Sequence, residues 1–276
     1  MSLTQTWHGV MNSSLARWAS VCLLCFFAAV IVMPELIAQQ SPIALNPTRA
    51  LQPPSMAHWF GTDDVGRDLF ARVIYGTRVT LGLVAGALLI SALLGSALGL
   101  MSGFAGGLID MILSRLLDVI LTFPPIIAGV VITGILGPGA DHLVLALSLV
   151  YLPMFFRIAR AGAISENNRT YVEASRSLGF SEWHILVKEV TPNVLPVILT
   201  QYVILFPLAL QIESALGFLG LGVAPPTPDW GSILEQGKNF ILNAWWISLW
   251  PGLFLLASSL AVMVLGRSLQ ERLGKG

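Results

Sequence analysis

Residues 79–109 read VTLGLVAGALLISALLGSALGLMSGFAGGLI, thirty-one positions without a single Asp, Glu, Lys or Arg. A membrane-crossing helix needs roughly 20 mostly apolar residues, because each adds about 1.5 Å across about 30 Å of hydrocarbon. The run is continuous, whereas the strands of a membrane β-barrel alternate over about ten residues. It therefore predicts a transmembrane helix. Ser91, Gly95, Gly99, Gly103 and Gly107 recur at every fourth position, on one helical face. Such a ladder of small residues lets helix backbones approach closely in lipid. Either another helix of the same bundle or a partner subunit fills the groove.

Five further apolar runs lie at 15–38, 119–136, 143–156, 194–212 and 239–266. The expectation is an all-α integral membrane protein with about six transmembrane helices. Composition agrees. Only 11% of the 276 residues are charged and 55% are hydrophobic, against about 25% charged in a soluble chain. A disordered chain is excluded by the high hydrophobicity. A nucleic-acid binder is disfavoured by the balance of 15 basic and 15 acidic residues. Two cysteines do not make a disulfide scaffold; Cys22 and Cys25 sit inside an apolar run and read as packing residues. For the first run, a cleaved signal peptide is the alternative, but its weakly basic start and poor cleavage pattern favour a retained span.

An even number of spans puts both termini on one side. That side then carries Arg17, Arg115, Arg157, Arg160, Arg169, Arg176, Lys188, Arg267, Arg272 and Lys275. Arg49, Arg67, Arg72, Arg78 and Lys238 fall on the other. The excess predicts N-in, C-in. The expected organisation is a cytoplasmic N-terminus at 1–14, a first span at 15–38 and an extracytoplasmic segment at 39–77. A membrane core at 78–266 follows, with a cytoplasmic loop at 157–193, and then a cytoplasmic tail at 267–276.

That loop is unusually long for a helix connection, and it holds nine of the chain's charges. Thr170-Tyr171-Val172-Glu173 has the spacing of a capping box for a first short helix, with Tyr171, Ala174 and Leu178 on one face. Gly179 is placed to end it in the left-handed conformation. Ser181 can cap a second helix, along which Trp183, Leu186, Val187 and Val190 form an apolar stripe. Pro192 is expected to end that helix. On these residues alone, the stripe packs on the protein's own spans or lies at the membrane interface.

Tyr171-Val172-Glu173-Ala174-Ser175-Arg176-Ser177-Leu178-Gly179, with Pro192 thirteen positions on, resembles the EAA loop of ABC-importer permeases. That pattern is Glu-Ala-Ala, three residues, Gly, nine residues, then Ile-x-Leu-Pro. Glu173, Ala174, Gly179 and Pro192 match. Ser175 stands at the second Ala, Glu189 at the Ile and Thr191 at the Leu. The resemblance implies a loop that couples to a separate ATPase through Glu173, Ala174, Gly179, Trp183 and Pro192.

Two more stretches resemble one branch of that family, the C-type permeases of dipeptide, oligopeptide and nickel importers. They are HWFGTDDVGRD at 58–68 and ESALGFLGLG at 213–222, the latter followed by PPTPDWG at 225–231. Gly266-Arg267-Ser268-Leu269 departs from that branch's Gly-Asp-Gly-Leu, and no role passes to Arg267. The resemblance implies a six-helix type I importer permease in the bacterial inner membrane. Its expected partners are a second, homologous permease, two ATPase subunits carrying ATP and Mg, an extracytoplasmic substrate-binding protein and membrane lipid. No cofactor is expected on this chain.

Glu213 is the lone acid in the outer half of its span, followed by a Gly-rich stretch, and an intramembrane carboxylate is a functional candidate. It can line the pathway or bond to backbone freed by the glycines. Phe218 is the other candidate pathway or gate position. Asp110, Arg115 and Asp118 read as an i,i+3 ion pair at the interface. Gly61, Thr62, Asp63, Gly66, Arg67 and Asp68 read as a hydrogen-bonded clasp; they lack the alternating ligands of a calcium loop. His8, His58, His142 and His184 are scattered, so no metal site is expected. Residues 231–238 end in Gly-Lys but miss the phosphate-loop spacing, with Asn239 following. Hence no nucleotide site is expected here, and no catalytic residue. The rivals are an importer of nickel or opine-type solutes, a stand-alone carrier or channel, and a membrane-embedded enzyme. No relay of acids and no catalytic cluster supports the last two.

Overall fold

In the computed structural model, residues 14–273 are described; the expectations for 1–13 and 274–276 lie outside them. The helices are α1 (Ser14–Val32), α2 (Pro34–Ile37), α3 (Leu69–Ala105), α4 (Gly107–Leu121), α5 (Pro125–Leu136) and α6 (Ala140–Asn167). After them come α7 (Thr170–Ser177), α8 (Glu182–Ile185), a π turn (Leu186–Val190), α9 (Thr191–Phe218), α10 (Trp230–Gly237) and α11 (Trp246–Leu273). Helices dominate and no strand forms among the described residues, as an all-α membrane protein requires.

Four helices are long and apolar enough to cross a membrane: Leu69–Ala105, Ala140–Asn167, Glu182–Phe218 and Trp246–Ser268. A fifth follows if α4 and α5 count as one broken span, and Trp18–Val32 is a shorter apolar helix. The run at 119–136 is thus not one straight rod. It straddles a bend of 87° between α4 and α5. The cause is local: Pro124 and Pro125 remove two amide donors, and the residue before a proline avoids the helical region.

Helices also outlast their apolar runs. α3 starts ten residues before 79, where Asp68 caps it by accepting from the Ala71 amide at 2.8 Å. α6 continues through the polar residues to Asn167.

The frame of the molecule is the parallel pair α3 and α6. Ser91 Oγ donates to the Ser148 carbonyl at 2.8 Å, and Ser148 Oγ donates back to Ala87 O at 3.2 Å. A Cβ on Gly95 would meet Leu152 O at 2.5 Å, one on Gly99 would overlap Phe156 O, and one on Gly103 would meet Arg160 O at 2.5 Å. Both helices advance by four residues per contact, so the ladder is filled from within the chain. Gly107 is not part of it: it opens α4 and has open space around it.

α4 is tied to this frame by an ion pair. Asp110 accepts two hydrogen bonds from Arg160 at 2.5 Å and one from Ser102 at 2.7 Å. The expected pairing within Asp110, Arg115 and Asp118 gives way to this one, because Arg160 offers a bidentate fork across the groove.

Candidate functional site

The loop after α6 folds as two short helices set at an angle. α7 begins at Thr170, with Arg169 as the capping residue and no side-chain cap. The expected capping box of Thr170 and Glu173 therefore does not form; the helix starts one residue too early for it. That register buries Val172 completely, within the hydrophobic core that also takes in Ile185, Leu186, Val190 and Val194. Burial of one side chain outweighs a surface cap.

Gly179 ends α7 as expected, at φ +83°. Its amide donates to Arg176 O at 3.0 Å and that of Phe180 to Ser175 O at 3.2 Å, the paired bonds of a Schellman motif. Ser181 then caps α8 by accepting from the His184 amide at 3.3 Å.

Pro192 does not end the second helix. α8 runs through the π turn into α9 as one rod, Glu182–Phe218. The π turn makes room for the proline: the Thr191 amide reaches back five residues to Leu186 O, and Thr191 Oγ1 bonds the same oxygen at 2.8 Å. The buried face of this helix differs from the expected apolar stripe. Leu186 and Val190 are buried and Ile185 joins them, while Trp183 is 66% exposed and Val187 39%.

The faces are thereby reassigned. Tyr171, Ala174 and Leu178 do not pack inward; Leu178 is 78% exposed. Leu178, Phe180, Trp183 and Val187 form an outward apolar surface, with Phe180 stacked on His184 at 4.9 Å. Glu173 and Ala174 are exposed beside it. An apolar surface on an otherwise polar loop marks a protein contact.

Polar side chains hold this surface in place. Arg176 binds Glu182 at 2.9 and 3.0 Å and Asn167 at 2.7 Å, and lies 5.5 Å from the centre of the Phe104 ring on α3. The Tyr171 hydroxyl donates to Glu166 at 2.7 Å and accepts from Asn193 at 3.1 Å. Burial and the Glu166 carboxylate push the Tyr171 phenol up from its ordinary value. Ser175 Oγ donates to the Glu189 carboxylate at 2.7 Å.

The segment 61–68 lies at the far end of α3 and forms a clasp. Asp63 is fully buried and accepts from the amides of Val65 and Arg67, and from Arg67 Nε at 2.6 Å. Arg72, also buried, lies 3.4 Å from the same carboxylate. Arg67 and Arg72 both donate to Gln236 of α10 at 3.0 and 3.2 Å. Thr62 O accepts from Trp246 at 3.1 Å, and Asp68 pairs with His58 at 2.8 Å. Gly61 and Gly66 take positive φ where backbone crowds them. The carboxylates of Asp63 and Asp68 are thus committed to neighbouring donors.

Glu213 is fully buried on α9. Ser214 Oγ donates to one of its oxygens at 2.9 Å and the other has no partner. Beside it, Gly217 packs on Gly231, and Trp230 is buried with its Nε1 on Val73 O at 3.1 Å. Phe218 is 40% exposed, with Lys238 Nζ 5.6 Å from its ring centre. Among the described residues Glu213 and Phe218 lie at the end of α9 away from the loop surface, so the candidate residues form separate groups. The partners missed from sequence are Gln236 in the clasp and Arg160 beside the ladder. Gln236 lies 169 and 164 residues from Arg67 and Arg72, and Arg160 lies 50 from Asp110, with no local pattern to reveal them.

Comparison with known proteins agrees with this architecture. Residues 95–275 match the family described as binding-protein-dependent transport system inner membrane component. The probable D,D-dipeptide transport system permease protein of Escherichia coli K12 is 35% identical over 264 residues, covering 95% of this chain and 88% of that protein. The di/tripeptide transport system permease protein of Pseudomonas aeruginosa is 38% identical over 229 residues, covering 83% and 76%. The glutathione transport system permease protein of Pectobacterium atrosepticum is 30% identical over 267 residues, covering 97% and 89%. With its helical membrane frame and its pinned, outward-facing loop, the chain belongs to the family of binding-protein-dependent transport system inner membrane components.

Proposed function

We propose that this protein is a permease subunit of an ATP-driven importer that carries peptide-like substrates into the bacterial cytoplasm. The observation that carries the reading is the apolar surface of Leu178, Phe180 and Trp183, held rigidly on a loop whose second helix is continuous with α9. Trp183 stands on that continuous rod, so a push on it passes along the helix into the membrane. The relatives named for D,D-dipeptides, di- and tripeptides and glutathione support a peptide-like cargo.

In this reading the termini and the loop face the cytoplasm and the clasp faces outward. The loop docks on one of two ATPase subunits, which hold the ATP and Mg. A second, homologous permease completes the pathway, and an extracytoplasmic binding protein delivers the substrate. Closure of the ATPase pair displaces the loop as a lever, and the helices switch between outward and inward openings. The chain itself makes and breaks no covalent bond.

The test is reconstitution in lipid vesicles. The purified chain with its permease and ATPase partners takes up a labelled dipeptide from its binding protein only with ATP and Mg. Uptake by this chain alone overturns the reading.

A further inference from the structure

Two of the loop's departures from the Glu-Ala-Ala pattern touch each other. Ser175 occupies the second alanine position and Glu189 the isoleucine position. They lie fourteen residues apart, and Ser175 Oγ is 2.7 and 2.8 Å from the two carboxylate oxygens of Glu189. Both residues are partly buried, and Glu189 is followed by the fully buried Val190. A carboxylate in place of isoleucine at such a position is costly unless a donor meets it. Ser175 is that donor, in a charge-assisted hydrogen bond.

The place of the bond gives it a further meaning. α7 and α8 are joined by a tight turn centred on Gly179, which by itself can flex. Glu189 lies inside the π turn, at the joint between α8 and α9. Its carbonyl is fastened there by Asn193 Nδ2 at 2.8 Å. Two other hydrogen-bonded ties cross the turn: Arg176 to Glu182, which reaches only the first residue of α8 and is solvent-exposed, and Asn193 Nδ2 to the Tyr171 hydroxyl, which is also exposed and meets α9 beyond the π turn. Of these hydrogen-bonded ties, the Ser175–Glu189 bond is the one that ends inside the π turn.

We propose that Ser175 and Glu189 are a matched pair of positioning residues, whose hydrogen bond sets α7 against the π turn so that displacement of the loop surface is delivered to α9 and not lost at Gly179. This rests on the coupling role argued under Proposed function.

The experiment compares the assembled transporter carrying S175A, E189I, E189Q and the double substitution S175A/E189I. It measures ATP hydrolysed per substrate taken up, together with the amount and melting temperature of the complex. S175A strands a half-buried carboxylate and raises the ratio on the order of tenfold, while E189I leaves only a hydroxyl that can turn to its own helix and raises it about threefold. E189Q keeps an acceptor for Ser175 and stays near the wild type. The double variant rebuilds an apolar contact and returns below S175A, with assembly and melting temperature unchanged throughout. Ratios that stay at the wild-type value in both single variants overturn the pair, as does a double variant at or above the product of the two. A rise in ratio that merely follows loss of assembled complex overturns it too. ATP-independent uptake by the wild type is a different result and overturns the coupling reading itself.

Discussion

Gly99 sets its Cα directly against the carbonyl oxygen of Phe156, and a Cβ on Gly99 would overlap that oxygen. This contact is the middle rung of a ladder running from Ser91–Ser148 to Gly103–Arg160, and it holds two parallel spans at backbone distance. Gly99→Ala is expected to destabilise the protein by about 1–3 kcal/mol, the usual cost of overpacking. Gly86→Ala is the matched control, since Gly86 lies on the same helix with open space around it. It is expected to be neutral or to stabilise by up to about 1 kcal/mol through helix propensity. Thermal unfolding in detergent distinguishes the two. Equal melting temperatures for both variants would contradict the ladder.

At Gly179 the constraint is conformational, since nothing approaches its Cβ position and the φ of +83° is what matters. A side chain there costs roughly 1–2 kcal/mol, most for a β-branched residue and least for asparagine. Gly179→Val is expected to leave the complex assembled while uptake and substrate-stimulated ATP hydrolysis are lost. Gly179→Asn is expected to retain most of both. Normal uptake by the valine variant would remove the turn from the coupling path.

The clasp makes a prediction about stability. Asp63→Ala leaves the Arg72 guanidinium buried without its carboxylate, a change that costs about 3–5 kcal/mol. Asp63→Ala combined with Arg72→Met is expected to recover a large part of that loss, since an apolar side chain needs no partner. Melting temperatures of the two variants test this, and an equal loss in both would show that the ion pair is not the source.

A pH effect follows from Asp229, which caps α10 by accepting from the Ser232 amide at 2.9 Å. Burial raises its carboxyl above the ordinary value of 3.8, opposed by hydrogen bonds from Ser232 and Gly231 and by the charge of Arg72. A raised folded-state value means that its contribution to stability is complete below about 3.8 and lost as pH climbs through the raised value. Glu213 on α9 and Arg72 on α3 face the same carboxyl. Asp229→Asn keeps an acceptor for Ser232 and carries no proton to lose. Its melting temperature is expected to vary less with pH than that of the wild type; an unchanged pH slope would exclude Asp229 as its source.

Residues 79–109 needed no structure to be read as a membrane helix, because hydrocarbon leaves a charge-free run of that length few other conformations. The same holds for the Gly179 stop, the Ser181 cap and the spacing of Glu173, Ala174, Gly179 and Pro192, all of which act over a few neighbouring residues. The same local logic fails at Pro192 and Thr170. A π turn absorbed the proline, and the burial of Val172 moved the helix start by one residue. The bend at Pro124 was written in the sequence, yet its effect on a continuous apolar run was not. What tertiary structure alone decided are the contacts between separate elements: α6 in the groove of the ladder, Arg160 on Asp110, Gln236 on Arg67 and Arg72, and Ser175 on Glu189. Their physical basis is the same throughout. Hydropathy and turn chemistry are properties of consecutive residues, whereas the partner of a buried charge or a bare backbone is chosen by the packing of the whole chain.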